Sequence, residues 1–235
     1  MPKVAVIIPA AGAGQRFGGK VKKPFALLDN RPLFIRSIEL FATRPDVCQV
    51  LLAVAPDDYD VVREKYAANL MFMNVRLVRG GSERFASVRA ALAEVDDAAE
   101  LVCVHDAVRP CVLDSWIDAV FAAAAEHGAA ILAAPLTGTI KQVRGGAIEA
   151  QTPQVFRKAL LAEAYAALPA DARPTDDAQV VEQSGNAVRV VESDRRNLKV
   201  TTGSDLALAG SILKDISREA RRGSGPMGAF EEAQW

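Results

Sequence analysis

Residues 4–24, VAVIIPAAGAGQRFGGKVKKP, admit few folds. Val4-Ala5-Val6-Ile7-Ile8 is continuously apolar and largely β-branched, the pattern of a strand buried on both faces of a mostly parallel sheet. Pro9 ends the run. Ala10, Ala11, Gly12, Ala13, Gly14, Gly18 and Gly19 then leave a backbone with almost no side chains, able to bring its N–H groups against an anion. Arg16, Lys20, Lys22 and Lys23 share this stretch and no acidic residue appears before Asp29, although the whole chain carries a formal net charge of only -1. A buried strand that opens into such a loop implies a polyphosphate guest.

Three kinds of phosphate loop have this general composition. A dinucleotide fingerprint needs G-x-G-x-x-G opening directly into a helix, whereas here the third glycine is late, at Gly18, and the helix waits until Pro32. A Walker A loop fits as Gly14-x-x-x-x-Gly19-Lys20, but Val21 stands where a Ser or Thr would hold magnesium, and Val21-Lys22-Lys23-Pro24 is a poor helix start. The form that remains is a long basic glycine loop wrapped around a nucleoside triphosphate.

Downstream, strand-like and helix-like text alternates. Pro32 suits a first helical residue, with Phe34, Ile38 and Phe41 on one face. Cys48 to Ala55 predicts a second buried strand, Pro56-Asp57-Asp58 starts a helix to about Ala68, and Val75 to Val78 predicts a third strand. Arg79-Gly80-Gly81-Ser82-Glu83-Arg84 then leads into a helix with Val88, Leu92 and Val95 on one face. Here Gly80 and Gly81 permit close backbone approach, and Ser82 and Ser87 can bond a base edge or cap the helix. Leu101 to Val104 is the fourth strand, and the Asp106 that follows it is placed to meet a ribose hydroxyl or magnesium. Helices are expected over about 113–127 and 156–168, and from Thr175-Asp176-Asp177-Ala178. Further strands are expected over 130–134, 187–191 and 197–201. The fold expected is α/β, a doubly wound, mostly parallel sheet of the Rossmann-like kind. Two β-prone runs joined at Gly145-Gly146 predict an arm projecting from that sheet over about 136–155. An arm cannot bury itself, so a second copy of the chain is its expected cover.

A chain of 235 residues, 50% hydrophobic, makes one ordinary domain burying about 70% of its unfolded surface, which we expect over 1–220. From Arg221 the text loses periodicity and gains Gly, Pro and charge, as a flexible tail would. No apolar stretch approaches the ~20 residues of a membrane span. The first strand begins by residue 4, so a cytoplasmic location is expected. Cys48, Cys103 and Cys111 lack C-x-x-C spacing and read as reduced thiols in or near the core. Scattered basic residues at a pI of about 6.2 give no nucleic-acid footprint.

The string P-A-A-G-x-G-x-R with Lys23 seven residues on resembles the signature of nucleotidyltransferases, closest to the 2-C-methyl-D-erythritol 4-phosphate cytidylyltransferases. G-G-x-E-R-x-x-S at Gly80 to Ser87, V-H-D-A-x-R-P around Asp106, T-P-Q at Thr152, T-D-D-A at Thr175 and N-x-K-V-T around Lys199 are similar to the same family. Ser82 stands where its best-known members carry aspartate. The resemblance implies CTP and 2-C-methyl-D-erythritol 4-phosphate as substrates, Mg2+ as cofactor, and a homodimer through a short arm. It implies Arg16, Lys23, Lys199 and Arg144 as catalytic cations, the last delivered from a partner subunit. Ala10, Ala11, Gly12, Ala13, Gly14, Lys20 or Lys22, Gly80, Gly81, Ser82 and Ser87 would hold CTP. Asp106, Arg109, Thr139 and Thr175 would hold the second substrate, joined by Thr152 from the partner subunit, with Asp106 also a candidate metal ligand. Both Lys22 and Lys23 fit the essential lysine, and spacing back from Asn30 favours Lys23.

With such guests the nucleophile is a phosphate oxygen, already anionic at neutral pH. No general base is needed, and His105 and His127 have no required part. Fixed cations and magnesium address the real difficulty, the crowding of negative charge at the α-phosphate. A sibling polyol- or sugar-phosphate nucleotidyltransferase, such as a ribitol 5-phosphate cytidylyltransferase, remains an alternative, as does a nucleotide-binding module without catalysis.

Overall fold

A computed structural model describes residues 2–11, 21–135, 148–169 and 171–223. The expected first strand is β1 (Val4–Pro9), every residue of which is buried. Its alternation explains the unbroken apolar run. Val4, Val6 and Ile8 enter one core cluster while Ala5 and Ile7 enter another on the opposite face of the sheet.

After the loop come two-residue strands β2 (Leu27–Leu28) and β3 (Arg31–Pro32), then α1 (Leu33–Glu39). Pro32 is the N-cap of α1, one position before the first helical residue that had been expected there. The chain continues through β4 (Val47–Val54), α2 (Tyr59–Lys65), α3 (Ala67–Phe72), β5 (Val75–Arg79), α4 (Arg84–Leu92) and β6 (Leu101–Val104). Then follow α5 (Asp114–His127), β7 (Ala129–Pro135), β8 (Ile148–Arg157), α6 (Lys158–Ala167), α7 (Asp177–Gln183), β9 (Arg189–Glu192) and α8 (Gly203–Gly223).

These strands make a seven-stranded sheet in the order β5-β4-β1-β6-β8-β7-β9. The pairs β5/β4, β4/β1, β1/β6 and β7/β9 are parallel, and β8 runs antiparallel between β6 and β7. The doubly wound expectation therefore holds. The chain winds outward from β1 through β4 to β5, then crosses back to lay β6 on the other side of β1, so the loops after β1 and β6 part at their carboxyl ends. That parting is where such sheets open a ligand crevice.

Three details differ from the sequence reading. Residues 136–147 of the expected arm lie outside the described residues, but Ile148 to Gln151 pair with β7, and Gln154 and Val155 with both β6 and β7, so this stretch belongs to the main sheet. Phe156, expected to begin a helix, is buried in β8 opposite Val102 and Ala129, because both cross-strand neighbours are apolar. The stretch 197–201 is no strand. One backbone bond, Val200 N–H to the Val108 carbonyl at 2.9 Å, and the side chain of Asn197 tether it instead. Cys103 and Cys111 are buried thiols, whereas Cys48 is exposed.

Candidate active site

The carboxyl ends of β1 and β6 frame a crevice into which four separated stretches bring charge. Pro9, Ala10 and Ala11 line it from the end of β1, Lys23 and Pro24 from the following 3-10 turn, and Arg84, Asp106 and Lys199 from the other loops. Ala10 is fixed by its N–H to the Ala53 carbonyl at 2.7 Å, which ties the start of the glycine loop to β4. Gly12, Ala13, Gly14, Arg16, Lys20, Thr139 and Arg144 lie outside the described residues.

Asp106 is the hub. Its side chain is only 7% exposed, with Arg84 Nε 2.9 Å from Oδ1, Lys199 Nζ 2.7 Å from Oδ2 and Arg109 Nε 3.7 Å from Oδ2. Burial alone would raise its pKa, but Arg84, Lys199 and Arg109 outweigh burial and hold the carboxyl well below the usual range. It is an anion at any working pH. Both its oxygens are engaged by cations, and among the described residues no group of three His, Cys, Asp or Glu could hold a metal ion. With both oxygens so engaged, Asp106 could give a magnesium ion at most a single ligand.

The two adjacent lysines face different ways. Lys22 Nζ sits 2.7 Å from Asp58 Oδ1 and 2.8 Å from Oδ2, clamping the chain to the turn after β4. Lys23 lines the crevice with Asp106 and Lys199.

Glycines shape the next wall. A Cβ on Gly80 would meet Ser87 Oγ at 2.5 Å and the Val54 carbonyl oxygen at 2.9 Å, and one on Gly81 would meet Ala86 Cβ at 2.5 Å. The absence of side chains lets Gly81 N–H donate to Ser87 Oγ at 3.1 Å, and lets Ser87 Oγ donate back toward the Glu83 carbonyl at 3.0 Å. Ser87 is thus the buried pin of this loop. Ser82 does not cap α4. The N-cap is Glu83, which makes no side-chain capping bond, and Ser82 is left exposed at the loop's rim.

Two expected substrate contacts turn out to be interior. Thr152 is 4% exposed, and its hydroxyl accepts the Asp106 N–H at 3.0 Å while its carbonyl accepts from Asn197 Nδ2 at 2.9 Å. The cause is a bulge in β8. The ladder passes from Gln151 opposite Leu132 directly to Gln154 opposite Ile131, which frees Thr152 and Pro153 to reach past the end of β6. Arg109 is likewise 4% exposed and donates through Nη1 to the Asn197 carbonyl at 2.7 Å. Burial lowers its pKa, and Asp106 offsets this only in part. These two residues hold the segment that carries Lys199. Thr175 is exposed and bonds Gln179, while Asp176 is the true cap of α7, accepting from Gln179 N–H at 2.9 Å.

His105 is a rivet. One ring nitrogen faces the Arg109 carbonyl at 3.0 Å and so carries the proton, and the other, 3.3 Å from Thr152 Oγ1, accepts. Burial pushes its pKa down to about 4, so it stays neutral.

Arg84 was quoted in the sequence only as part of a motif, yet it joins Asp106 to the buried Asp177, whose Oδ2 lies 2.8 Å from Nη2. A cation at the first position of a helix, where the helix dipole disfavours it, was the available signal.

The family model for 2-C-methyl-D-erythritol 4-phosphate cytidylyltransferase matches residues 4–215. A protein of that name from Rhodopirellula baltica is 44% identical over 92% of this chain and 97% of its own length. The bifunctional enzyme IspD/IspF of Rhodospirillum rubrum is 39% identical over 96% of this chain and 60% of its own length. Among solved structures, the 4-diphosphocytidyl-2C-methyl-D-erythritol synthase of Anaerococcus prevotii superposes with a TM-score of 0.77 at 26% identity, covering 91% of this chain and 96% of that one.

Proposed function

The chain belongs to the 2-C-methyl-D-erythritol 4-phosphate cytidylyltransferase family, and on that premise we propose how its crevice serves the reaction. The enzyme transfers CMP from CTP to 2-C-methyl-D-erythritol 4-phosphate, giving 4-diphosphocytidyl-2-C-methyl-D-erythritol and pyrophosphate in isoprenoid precursor synthesis. A phosphate oxygen of the second substrate attacks the α-phosphorus of CTP, and the bond from that phosphorus to the β-phosphate bridging oxygen breaks. No proton need be removed from the nucleophile, which suits a site whose nearest histidine is buried and neutral.

The observation that carries the reading is the convergence of Lys23, Arg84 and Lys199 on one crevice with Asp106 at the switch point of the sheet. In our assignment the backbone from Ala10 to Gly14 holds the triphosphate, and Arg16 and Lys23 stabilise charge at the α-phosphate, while Lys22 stays on Asp58. Gly80, Gly81, Ser82 and Ser87 shape the base pocket. Lys199, Asp106, Thr139 and Thr175 place the second substrate. Arg109 and Thr152 act by fixing the others, as their burial requires. Magnesium, when bound by the phosphates, neutralises charge as it develops between nucleophile and leaving group.

A homodimer in which Arg144 reaches the neighbouring site from the 136–147 segment is part of the proposal, testable by light scattering of the purified protein. The cytoplasm is the proposed compartment, which the unpaired Cys103 and Cys111 fit. No described helix is long and apolar enough to cross a membrane.

Pyrophosphate release across a panel of triphosphates and polyol phosphates tests the whole. Magnesium-dependent turnover is expected with CTP and methylerythritol phosphate but not ribitol phosphate. Turnover with ribitol phosphate alone selects the sibling activity, and CTP binding without turnover on any acceptor selects a silent module.

A further inference from the structure

On the side of Arg84 away from the crevice stands a second carboxylate. Asp177 is fully buried, its Oδ1 accepts from the Tyr165 hydroxyl at 2.6 Å, and its Oδ2 forms an ion pair with Arg84 Nη2 at 2.8 Å that is close in distance but not aligned as a hydrogen bond. Arg84 Nε in turn meets Asp106 Oδ1 at 2.9 Å, and Asp106 Oδ2 meets Lys199 Nζ at 2.7 Å. Tyr165, Asp177, Arg84, Asp106 and Lys199 therefore form one continuous line from the interior of α6 and α7 out to the crevice.

Each link has a reason to depend on the one behind it. Arg84 is the first residue of α4, where the helix dipole repels a cation, so its guanidinium relies on the carboxylates on either side. Tyr165 remains a hydroxyl donor because burial, then the neighbouring Asp177, raises its pKa far above its usual value. Asp177 is fixed from the backbone side as well, since its N–H and that of Ala178 each donate to Gln154 Oε1 at 3.0 Å.

As Lys199 draws one of its three N–H donors towards a substrate phosphate, its hold on Asp106 weakens. When it turns to the phosphate, Asp106 becomes a buried charge in need of a counter-ion. Arg109 meets that need poorly. Its Nη1 is committed to the Asn197 carbonyl, and its Nε stands 3.7 Å from Asp106 Oδ2, against 2.9 Å from Arg84 Nε to Oδ1.

We propose that Asp177, steadied by Tyr165, is a positioning residue for catalysis: it fixes Arg84 on Asp106, so that Asp106 keeps a counter-ion when Lys199 turns to the substrate phosphate. The inference rests on the placing of Lys199 at the second substrate given under Proposed function.

Asp177→Asn preserves the side chain's shape and removes its charge. Its kcat/KM for methylerythritol phosphate is expected to fall roughly 10²-fold, as for a reacting group displaced by about an ångström. The Kd for CTP, measured by calorimetry, stays within about threefold. In an Arg84→Gln background the same substitution costs nothing further, because Asp177 acts only through Arg84. A merely structural role gives additive losses in the two backgrounds, and additivity overturns the proposal. Tyr165→Phe is the gentler variant, to be used should Asp177→Asn fail to fold. It shifts kcat/KM in the same direction by a smaller factor, and wild-type constants in that variant overturn the proposal as well. Lys199→Gln separates the two levels. If it retains full activity, the reading of the site fails, whereas an inactive Lys199→Gln beside a wild-type-like Asp177→Asn sinks this inference alone.

Discussion

Lys22 and Lys23 are adjacent in the chain and live in different electrostatic surroundings, one clamped to Asp58 and the other lining the crevice. Lys23→Ala is accordingly expected to lower turnover by about 10²-fold or more, the scale of losing one transition-state donor, while CTP affinity is largely kept. Lys22→Ala removes a surface ion pair, generally worth at most about 1 kcal/mol, and leaves activity near wild type. Steady-state kinetics and a CTP titration of the two variants decide it, and equal activity in both contradicts the assignment. His105 carries a pH signature. Its folded pKa, about 4, lies below the ordinary 6.5, so on acidification the unfolded chain takes up a proton before the native protein does. Its contribution is whole above pH 6.5 and is lost as pH falls from there to about 4. The amount is on the order of 3 kcal/mol. Denaturant unfolding at a series of pH values should show that loss. The imidazole resonance of His105 should also stay in its neutral position down to about pH 5, and titration near pH 6.5 refutes the rivet role.

Between β5 and α4 the loop works only because two glycines bring its backbone against the helix it precedes. Gly80→Ala places a Cβ 2.9 Å from the Val54 carbonyl oxygen, part of the rigid central sheet, and 2.5 Å from the buried Ser87 Oγ. We expect a loss of about 1–3 kcal/mol in unfolding free energy, the usual range for overpacking, together with a raised KM for CTP as the loop shifts outward. Melting curves and CTP saturation kinetics measure the two effects, and an unchanged KM separates this loop from the base pocket. β8 shows a different kind of element-scale control. Its bulge at Thr152 and Pro153 delivers a hydroxyl to the Asp106 N–H from a strand that otherwise pairs regularly with β6 and β7. The T-P-Q text marks the position by resemblance, but the ladder decides whether Thr152 faces substrate or supports it.

Across the whole molecule the site is closed by long-range ties between segments far apart in sequence. Asn197 is the knot: its Nδ2 donates to the Thr152 carbonyl at 2.9 Å, and its own carbonyl takes the Arg109 guanidinium at 2.7 Å. Asn197→Ala leaves the Thr152 carbonyl unsatisfied, at about 1–3 kcal/mol in stability, and lets the Lys199 segment drift. Its kcat should fall while KM for CTP holds, and a variant that loses stability with full kcat removes Asn197 from the placing of Lys199. The third core cluster, beneath α8, secures the same region by packing Val108 and Cys111 against Val200 and Ala209. What the residues alone determined was the alternation of strand and helix, the unbroken apolar β1, and the text around Asp106 and Lys199. Those signals are local, set by side-chain period, glycine and charge within a few positions. The antiparallel insertion of β8, the burial of Thr152 and Arg109, the divergence of Lys22 from Lys23, and the bridge from Arg84 to Asp177 were decided by tertiary structure. Each depends on which strand lies beside which and on how two carboxylates are shared among cations more than twenty residues apart, and no local pattern encodes that pairing.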